Sequence, residues 1–244
     1  MNWHTRYTQQ ANWTRKLRSY LFSQTGLKNA GRVLEVGCGT GAILAEIDTF
    51  PLHGLDIHPA SLMGAKVHAP AATLTQGDAL SLPYADNCFD ITFCHFLLLW
   101  VSNPSKAVAE MKRVTRPSGY ILALAEPDYS ARVDKPESLS VLGKWQAEAL
   151  RQQGADTSLG GRLAELFFRA GIEIIETGAI EKSGEDALTP DEWELEWAVL
   201  EADLTGFVPD AEIQKMKVLD KRAWASGERE LYVPTYFAWG RKAV

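Results

Sequence analysis

The stretch that decides the fold is Val33–Gly41, which reads VLEVGCGTG. Its apolar residues make a short run suited to a buried parallel strand, and glycine stops it abruptly. Gly37–Cys38–Gly39–Thr40–Gly41 then makes a turn, and Ala42–Ile47 is helical in character. Glycine reaches positive φ without steric penalty and lets the backbone come into contact with a ligand. The first N–H groups of a helix starting there face that ligand. Strand, glycine turn and helix together form a nucleotide-binding turn.

Working outward, three acids refine what the turn would hold. Glu35 lies two residues before the first glycine, at the end of the strand. Asp56 lies fifteen residues after Gly41, at the end of the next strand candidate, His53–Ile57, placed to accept both ribose hydroxyls. Asp78, in Gln76–Gly77–Asp78–Ala79, closes a third strand candidate, Ala72–Gln76, at the height of an adenine ring, whose amino group it can accept. The glycines alone also satisfy G-x-G-x-x-A, and both NAD and S-adenosylmethionine (SAM) ask for the second-strand acid. The combination of glycine loop, second-strand acid and third-strand acid is far more specific than the loop, and it favours SAM.

The rest of the chain keeps the alternation that the loop begins. A helix is expected from about Gln10 to Thr25, with Trp13, Leu17, Tyr20 and Leu21 on one stripe. Ser61–Lys66 starts another, Phe89–Cys94 is a fourth strand, and Ser105–Val114 a helix that ends before Arg116–Pro117–Ser118–Gly119. Tyr120–Ala125 is a fifth strand, Ile172–Thr177 a sixth behind the helix Leu163–Ala170, and Pro234–Trp239 a seventh. Such alternation implies βαβ units and a parallel sheet covered on both faces. Two stretches break the rhythm, at about 128–160 (with a helix over Leu142–Gln152) and 182–230. Insertions at those points sit over the carboxyl edge of the sheet, where open α/β sheets bind ligands, and are expected to form a substrate cap.

Over Arg32–Pro127 the sequence resembles the class I SAM-dependent methyltransferases, and within them the ubiquinone and menaquinone biosynthesis group. The likeness includes Phe89–Val101 (FDITFCHFLLLWV) and Glu110–Pro127 (EMKRVTRPSGYILALAEP), which follows that group's E-x-x-R-V-L-x-P-G-G pattern. Thr115 and Ser118 replace its usual leucine and glycine, and Trp100 and Asn103 stand where it often has His and Asp. The resemblance implies an α/β, Rossmann-like, seven-stranded, mostly parallel sheet with helices on both faces and a helical cap from the insertions. Residues 1–31 would be an N-terminal helical segment over the cofactor site, and 32–244 the methyltransferase domain. It further implies that Glu35 helps position the methionine amino group and that Gly37, Cys38, Gly39 and Gly41 cradle the methionine and ribose. Asp56 would take the ribose hydroxyls, Ile57 would pack on adenine, and Asp78 with the Ala79 N–H would edge the base. The backbone at Cys94 or His95 would meet the methionine amino group, with Leu99 lining that side. Tyr7 and Trp13, in a polar–aromatic cluster with Arg6 and Gln10, would reach over the cofactor. Ordinary core packing is the competing reading for Ile57, Leu99, Tyr7 and Trp13, and a helix N-cap for Asp78.

Methyl transfer is an in-line displacement at a sulfonium carbon, so positioning and exclusion of water do most of the work. A base is needed only where the acceptor must lose a proton. His95 is the leading candidate, with Asp128 and Tyr129 behind it and a structural hydrogen-bonding role as its alternative. The acceptor is expected to be a small molecule, since an N-P-P-aromatic turn after the fourth strand is missing. Aromatic residues such as Trp145, Trp193, Trp197 and Trp224 suit either an apolar acceptor or packing of the insertions.

Charge bounds the partners. The net charge is −6, with six bases and no acid in residues 1–34 and eleven acids against Lys182 in 173–203. These read as two solvated, mutually paired faces, or as a basic rim that steers an acidic substrate. A pI near 5.4 argues against nucleic acid. No apolar run reaches the roughly 18 residues of a membrane span. Cys38, Cys88 and Cys94 show no paired spacing and read as reduced thiols of a cytoplasmic protein, monomer or homodimer. The five histidines form no metal-ligand pattern. A catalytically silent SAM-binding regulatory protein and an NAD-dependent oxidoreductase are the alternative functions.

Overall fold

Val33–Val36 forms a strand buried along its whole length. It is an interior strand of the sheet in the computed structural model, which describes residues 3–48, 51–180 and 189–244. In chain order the strands are β1 (Val33–Val36), β2 (Leu52–Asp56), β3 (Thr73–Gln76), β4 (Phe89–Cys94), β5 (Thr115–Pro127), β6 (Val133–Lys135), β7 (Ile172–Ala179), β8 (Glu230–Tyr232) and β9 (Thr235–Lys242). The helices are α1 (Trp3–Trp13), α2 (Arg15–Gln24), α3 (Pro59–His68), α4 (Pro104–Val114), α5 (Ser140–Gln152), α6 (Leu163–Arg169), α7 (Pro190–Leu204) and α8 (Asp210–Ala225). Among the described residues seven strands make one sheet, ordered β3-β2-β1-β4-β5-β9-β7. It is parallel except for β9, which runs antiparallel to both β5 and β7.

The direction of winding reverses between β1 and β4, which lie side by side with Val36 opposite Cys94. Such a switch point opens a crevice at the carboxyl ends of the strands. The register also sets Val36 beside Leu55, so the ends of β1, β2 and β4 share one edge. Glu35, Gly37, Asp56 and His95 are therefore neighbours because of topology.

The sheet buries a different apolar set on each face. Leu122, Leu124, Ile91 and Phe93 pack with Leu21 of α2 and with Ile43, Leu44 and Ile47 after the glycine turn. Ile121, Ala123 and Leu34 pack with Val108 and Met111 of α4 and with Leu163 and Phe167 of α6. This is the period-2 alternation of a two-sided sheet. A third cluster belongs to the insertions, where Leu139 and Leu142 meet Trp193, Trp197, Leu200, Leu204, Ile213 and Met216 of α7 and α8. Beneath it runs a buried ionic ladder. Asp134 pairs with Arg132 at 2.8 Å and with Arg229 at 2.6 Å, and Arg229 pairs again with Asp220. Asp220 accepts the indole N–H of Trp193 at 2.7 Å and of Trp197 at 2.9 Å. Trp193 and Trp197 are thus packing residues with satisfied polar edges.

Three local expectations are corrected, and one pairing is new. The helix over Gln10–Thr25 is two helices, broken at Thr14, whose hydroxyl bonds back to the Ala11 carbonyl at 3.1 Å. The helix over Ala42–Ile47 shrinks to one tight turn, Leu44–Glu46, capped by extended backbone at Ile47. Arg116–Gly119 does not separate helix from strand: β5 already pairs at Thr115 with Phe89 and bulges before Tyr120 meets Ile91. The pairing of β6 with β8, which no local pattern signals, adds a separate two-stranded ribbon. Lys182 and the opening of the second insertion, 182–188, lie outside the described residues.

Candidate functional site

The glycine turn adopts the backbone its composition requires. Gly37, Gly39 and Gly41 have φ of 75°, 51° and 79°. The N–H groups of Gly37 and Cys38 both donate to the Leu55 carbonyl, at 2.7 and 2.9 Å, locking the turn to the end of β2. A Cβ on Gly37 would stand 2.7 Å from Leu97, and one on Gly39 would stand 3.1 Å from the Tyr7 ring. The Cys38 side chain turns inward to the core, so what it offers the crevice is backbone.

Two acids sit beneath the turn in different states. Asp56 Oδ2 accepts the Gly39 N–H at 2.8 Å, and Oδ1 accepts the His58 N–H at 2.9 Å. Its carboxylate thus stitches the turn to β2 and keeps further lone pairs for a ligand. Glu35 is 3% exposed, and its Oε2 has no hydrogen-bond partner. Burial pushes its pKa well above the usual carboxylate range, and the nearby Arg18 charge opposes that shift. A buried, unpartnered carboxylate oxygen is costly, which marks Glu35 as waiting for a donor.

The N-terminal helices lie against this turn. Tyr7 of α1 covers Gly39, and burial together with Asp56 raises the pKa of its hydroxyl. His4 bonds the Thr40 hydroxyl at 2.8 Å and stacks on His68 of α3, with ring centroids 3.3 Å apart. Arg6, itself buried, pairs with Glu196 of α7 at 2.5 Å. This joins the basic N-terminal segment to the acidic insertion. Arg18 of α2 reaches Glu46, just past the turn, at 2.5 Å, and the Thr14 hydroxyl at 2.5 Å. Burial lowers its pKa while Glu46 pulls the other way.

The remaining residues divide. Ile57 is 53% exposed at the end of β2, so core packing does not account for it. Asp78 is exposed, with Oδ1 accepting the Leu80 N–H at 2.8 Å, a local turn bond that leaves Oδ2 open. Ala79, next in sequence, and Cys94, at the end of β4, are both buried in the apolar cluster. Leu99 is 1% exposed within the same cluster, in the tight turn Leu98–Trp100, an environment of core packing. Trp13 is 44% exposed at the end of α1, with the Arg6 guanidinium 4.7 Å over its ring, so it braces Arg6. His95 is a poor candidate for a base. Its Nε2 meets the Thr14 hydroxyl at 3.0 Å, and burial with the Arg18 charge lowers its pKa to about 3. An imidazole of that acidity is a neutral hydrogen-bonding group at pH 7 and a poor proton acceptor. Asp128 is committed to the N–H groups of Ser130 and Ala131. Burial raises the Tyr129 hydroxyl to about 12, keeping it protonated.

Two residues of this edge carry no local sequence signal. Arg18 looked like one base of a solvated face. Glu126, in the quoted motif but unassigned there, ends β5 fully buried and accepts three consecutive backbone N–H groups from Leu97, Leu98 and Leu99. Among the described residues, no group of three His, Cys, Asp or Glu side chains is placed to hold a metal ion. No helix there is long and apolar enough to cross a membrane.

With this geometry in hand, comparison with known proteins is specific. Residues 34–123 match the family described as a methyltransferase domain. A demethylmenaquinone methyltransferase of Renibacterium salmoninarum is 37% identical over 111 residues, 45% of this chain and 47% of that one. A malonyl-acyl-carrier-protein O-methyltransferase of Erwinia pyrifoliae is 32% identical over 118 residues, 48% of this chain and 45% of its own. The chain spans about half the length of the curated relatives it matches. Among solved structures, the 4+2 cyclase SpnF superposes with a TM-score of 0.61 at 24% identity, over 94% of this chain and 81% of that one, a likeness of fold.

Proposed function

We propose, from the premise that residues 34–123 form a class I SAM-dependent methyltransferase domain, that the protein transfers a methyl group from SAM to a small-molecule acceptor by in-line displacement. The carrying observation is the Glu35 oxygen, buried without a partner beneath a glycine turn whose open face is roofed by Tyr7. A ligand that brings a cation to Glu35, hydroxyls to Asp56 and a flat ring to Ile57 fits those three needs. An antiparallel β9 between β5 and β7 sets the sheet apart from the all-parallel dinucleotide fold that NAD would ask for.

SAM, when bound, supplies an activated methyl on a sulfonium whose departing thioether needs no acid. The chain's part is to bind, orient and exclude water. Gly37, Gly39 and Gly41 let the backbone approach, and Glu35 accepts the ammonium of the methionine end. Asp56 accepts the ribose hydroxyls, Ile57 packs on the adenine, and the open Oδ2 of Asp78 takes its amino group. Tyr7 closes the front, and the backbone at Cys94 and His95 meets the methionine end. His95, whose pKa burial lowers to about 3, is a weak proton acceptor, so the proposed transfer does not rely on it as a base. Residues 128–160 and 189–230 form the cap over the acceptor. The curated relatives methylate chemically unlike acceptors, so the half of the domain that matches them carries cofactor chemistry and leaves the acceptor to the insertions. Three unpaired thiols suit a reducing, cytoplasmic setting.

Calorimetric titration with S-adenosylhomocysteine (SAH) and with NAD tests the cofactor. Micromolar SAH binding is expected, lost in Glu35→Gln, and NAD binding in its place would sink the reading. Transfer of labelled methyl from SAM into a small-molecule extract then tests catalysis. Tight SAH binding with no transfer on any acceptor would point to a silent SAM-binding protein.

A further inference from the structure

Glu126 clamps a turn that the site depends on. Its Oε1 accepts the N–H groups of Leu97 at 3.0 Å and Leu98 at 2.9 Å, and Oε2 accepts that of Leu99 at 3.2 Å. Three peptides in a row are held by one side chain from a neighbouring strand. The turn is fixed again where the Phe96 N–H donates to the Ala125 carbonyl at 2.9 Å, with Phe96 in the left-handed region at φ 51°. A bulky residue stays there only when its surroundings impose it. Through this turn, Leu97 reaches the face of Gly37, and His95 reaches Thr14 at the α1–α2 break.

We propose that Glu126 is a positioning residue of the cofactor pocket: its carboxylate holds the Leu97–Leu99 turn so that Leu97 closes on Gly37 and the backbone at Cys94 and His95 is set for the methionine end of SAM. The inference rests on the cofactor reading above and extends it to a residue that touches no ligand.

The clamp works only as a carboxylate. Two oxygens with about four lone-pair sites match three donors, whereas a protonated acid turns one site into a donor aimed at N–H groups. Burial pushes Glu126 up to about 7, against the pull of the three N–H groups. The groups facing it are the Cys94 thiol of β4, 4.0 Å away and itself pushed up by burial, and Tyr236, its cross-strand partner on β9. No cation offsets its charge among the described residues. Cofactor affinity therefore acquires an acid limb just below neutrality.

SAH binding by the whole chain, measured calorimetrically from pH 5.5 to 8.5, tests this in wild type, Glu126→Gln and Glu126→Asp. Wild-type Kd is expected to be flat above pH 7.5 and to rise toward about tenfold per unit below 7. Glu126→Gln should bind about tenfold more weakly at pH 8, because its NH2 confronts the Leu99 N–H, and should show a shallower slope than wild type between pH 6 and 8. Glu126→Asp keeps the charge and should recover part of both. The slope is read between pH 6 and 8 as the difference between wild type and Glu126→Gln, because Glu35, whose pKa burial also raises, and His4, whose pKa burial and His68 lower, contribute equally to both. Should Glu126→Gln fail to fold, hydrogen exchange in wild type replaces it. Protection of the Leu97–Leu99 amides, corrected for intrinsic rates, should fall as pH drops through 7. A folded Glu126→Gln with wild-type Kd and slope, or amide protection indifferent to pH, overturns the proposal. If wild type binds no SAH at any pH, the cofactor reading fails and this proposal falls with it.

Discussion

Replacing Gly37 by alanine puts the architecture of the crevice under one measurable strain. Two costs arise. At φ 75° an L-residue is in the left-handed region, worth about 1–2 kcal/mol. Its Cβ would also stand 2.7, 3.1 and 3.2 Å from three atoms of Leu97, closer than packed carbons approach. Leu97 cannot retreat freely, since Glu126 holds its N–H, so overpacking adds about 1–3 kcal/mol. The sum is about 2–5 kcal/mol, which in a chain of 244 residues corresponds to a Tm loss of roughly 4–20 °C. A control is built into the molecule. Gly227 has the same φ, 75°, with nothing within 4 Å of a Cβ, so Gly227→Ala carries the strain without the overlap. Thermal unfolding of both variants, with and without SAH, separates the two costs. Gly37→Ala should lose several degrees more than Gly227→Ala and most of its SAH-induced shift, and adding Leu97→Ala should restore part of both. Equal Tm losses in the two glycine variants would refute the claim that Leu97 closes on the turn.

Three further outcomes are expected. His95 has a folded pKa near 3 against 6.5 unfolded, so the unfolded chain takes up its proton first as pH falls. That contribution is complete above pH 6.5 and is lost progressively toward pH 3, at about 1.4 kcal/mol per unit. Glu35 and Glu126, with raised values, run the other way, so the measurement is a difference: His95→Gln should flatten the acid slope of unfolding free energy between pH 6.5 and 4, and parallel slopes would contradict it. Asp220→Ala strands two indole N–H groups and half of Arg229's pairing, and should cost about 3 kcal/mol by denaturant titration; a loss under 1 kcal/mol would show the ladder to be idle. Tyr7→Phe should weaken SAH binding severalfold with Tm unchanged, and wild-type affinity would leave Tyr7 as packing alone.

The glycine turn and the strands around it were legible in the sequence because their signals are local. A run such as Phe89–Cys94 alternates between two faces that are both buried, and its ends fall where Asn87 and His95 change character. The order of strands follows from βαβ handedness, and the acids at strand ends follow from that order. What the sequence hid depends on partners far along the chain. Arg18 reads as a surface base until Glu46 and Thr14 are seen to close around it. Glu126 reads as part of a strand motif until three N–H groups from a different turn converge on it. The ribbon of β6 with β8 joins three-residue segments about a hundred positions apart, too short to carry a pattern. His95 shows the reverse case: its position in the sequence suggested proton transfer, and its environment removed the means.

The antiparallel strand β9 has a consequence for how the protein is made. It fills the slot between β5 and β7, so β5 has a vacant hydrogen-bonding edge until residues 235–242 leave the ribosome, more than a hundred residues after β5 itself. At synthesis rates of about 5–20 residues per second, that edge waits for roughly 5–20 s. An apolar strand with an open edge is a template for pairing with other chains. Nascent chains of this protein are thus exposed to mispairing at β5 while the intervening hundred or so residues are made, and that exposure ends when β9 arrives.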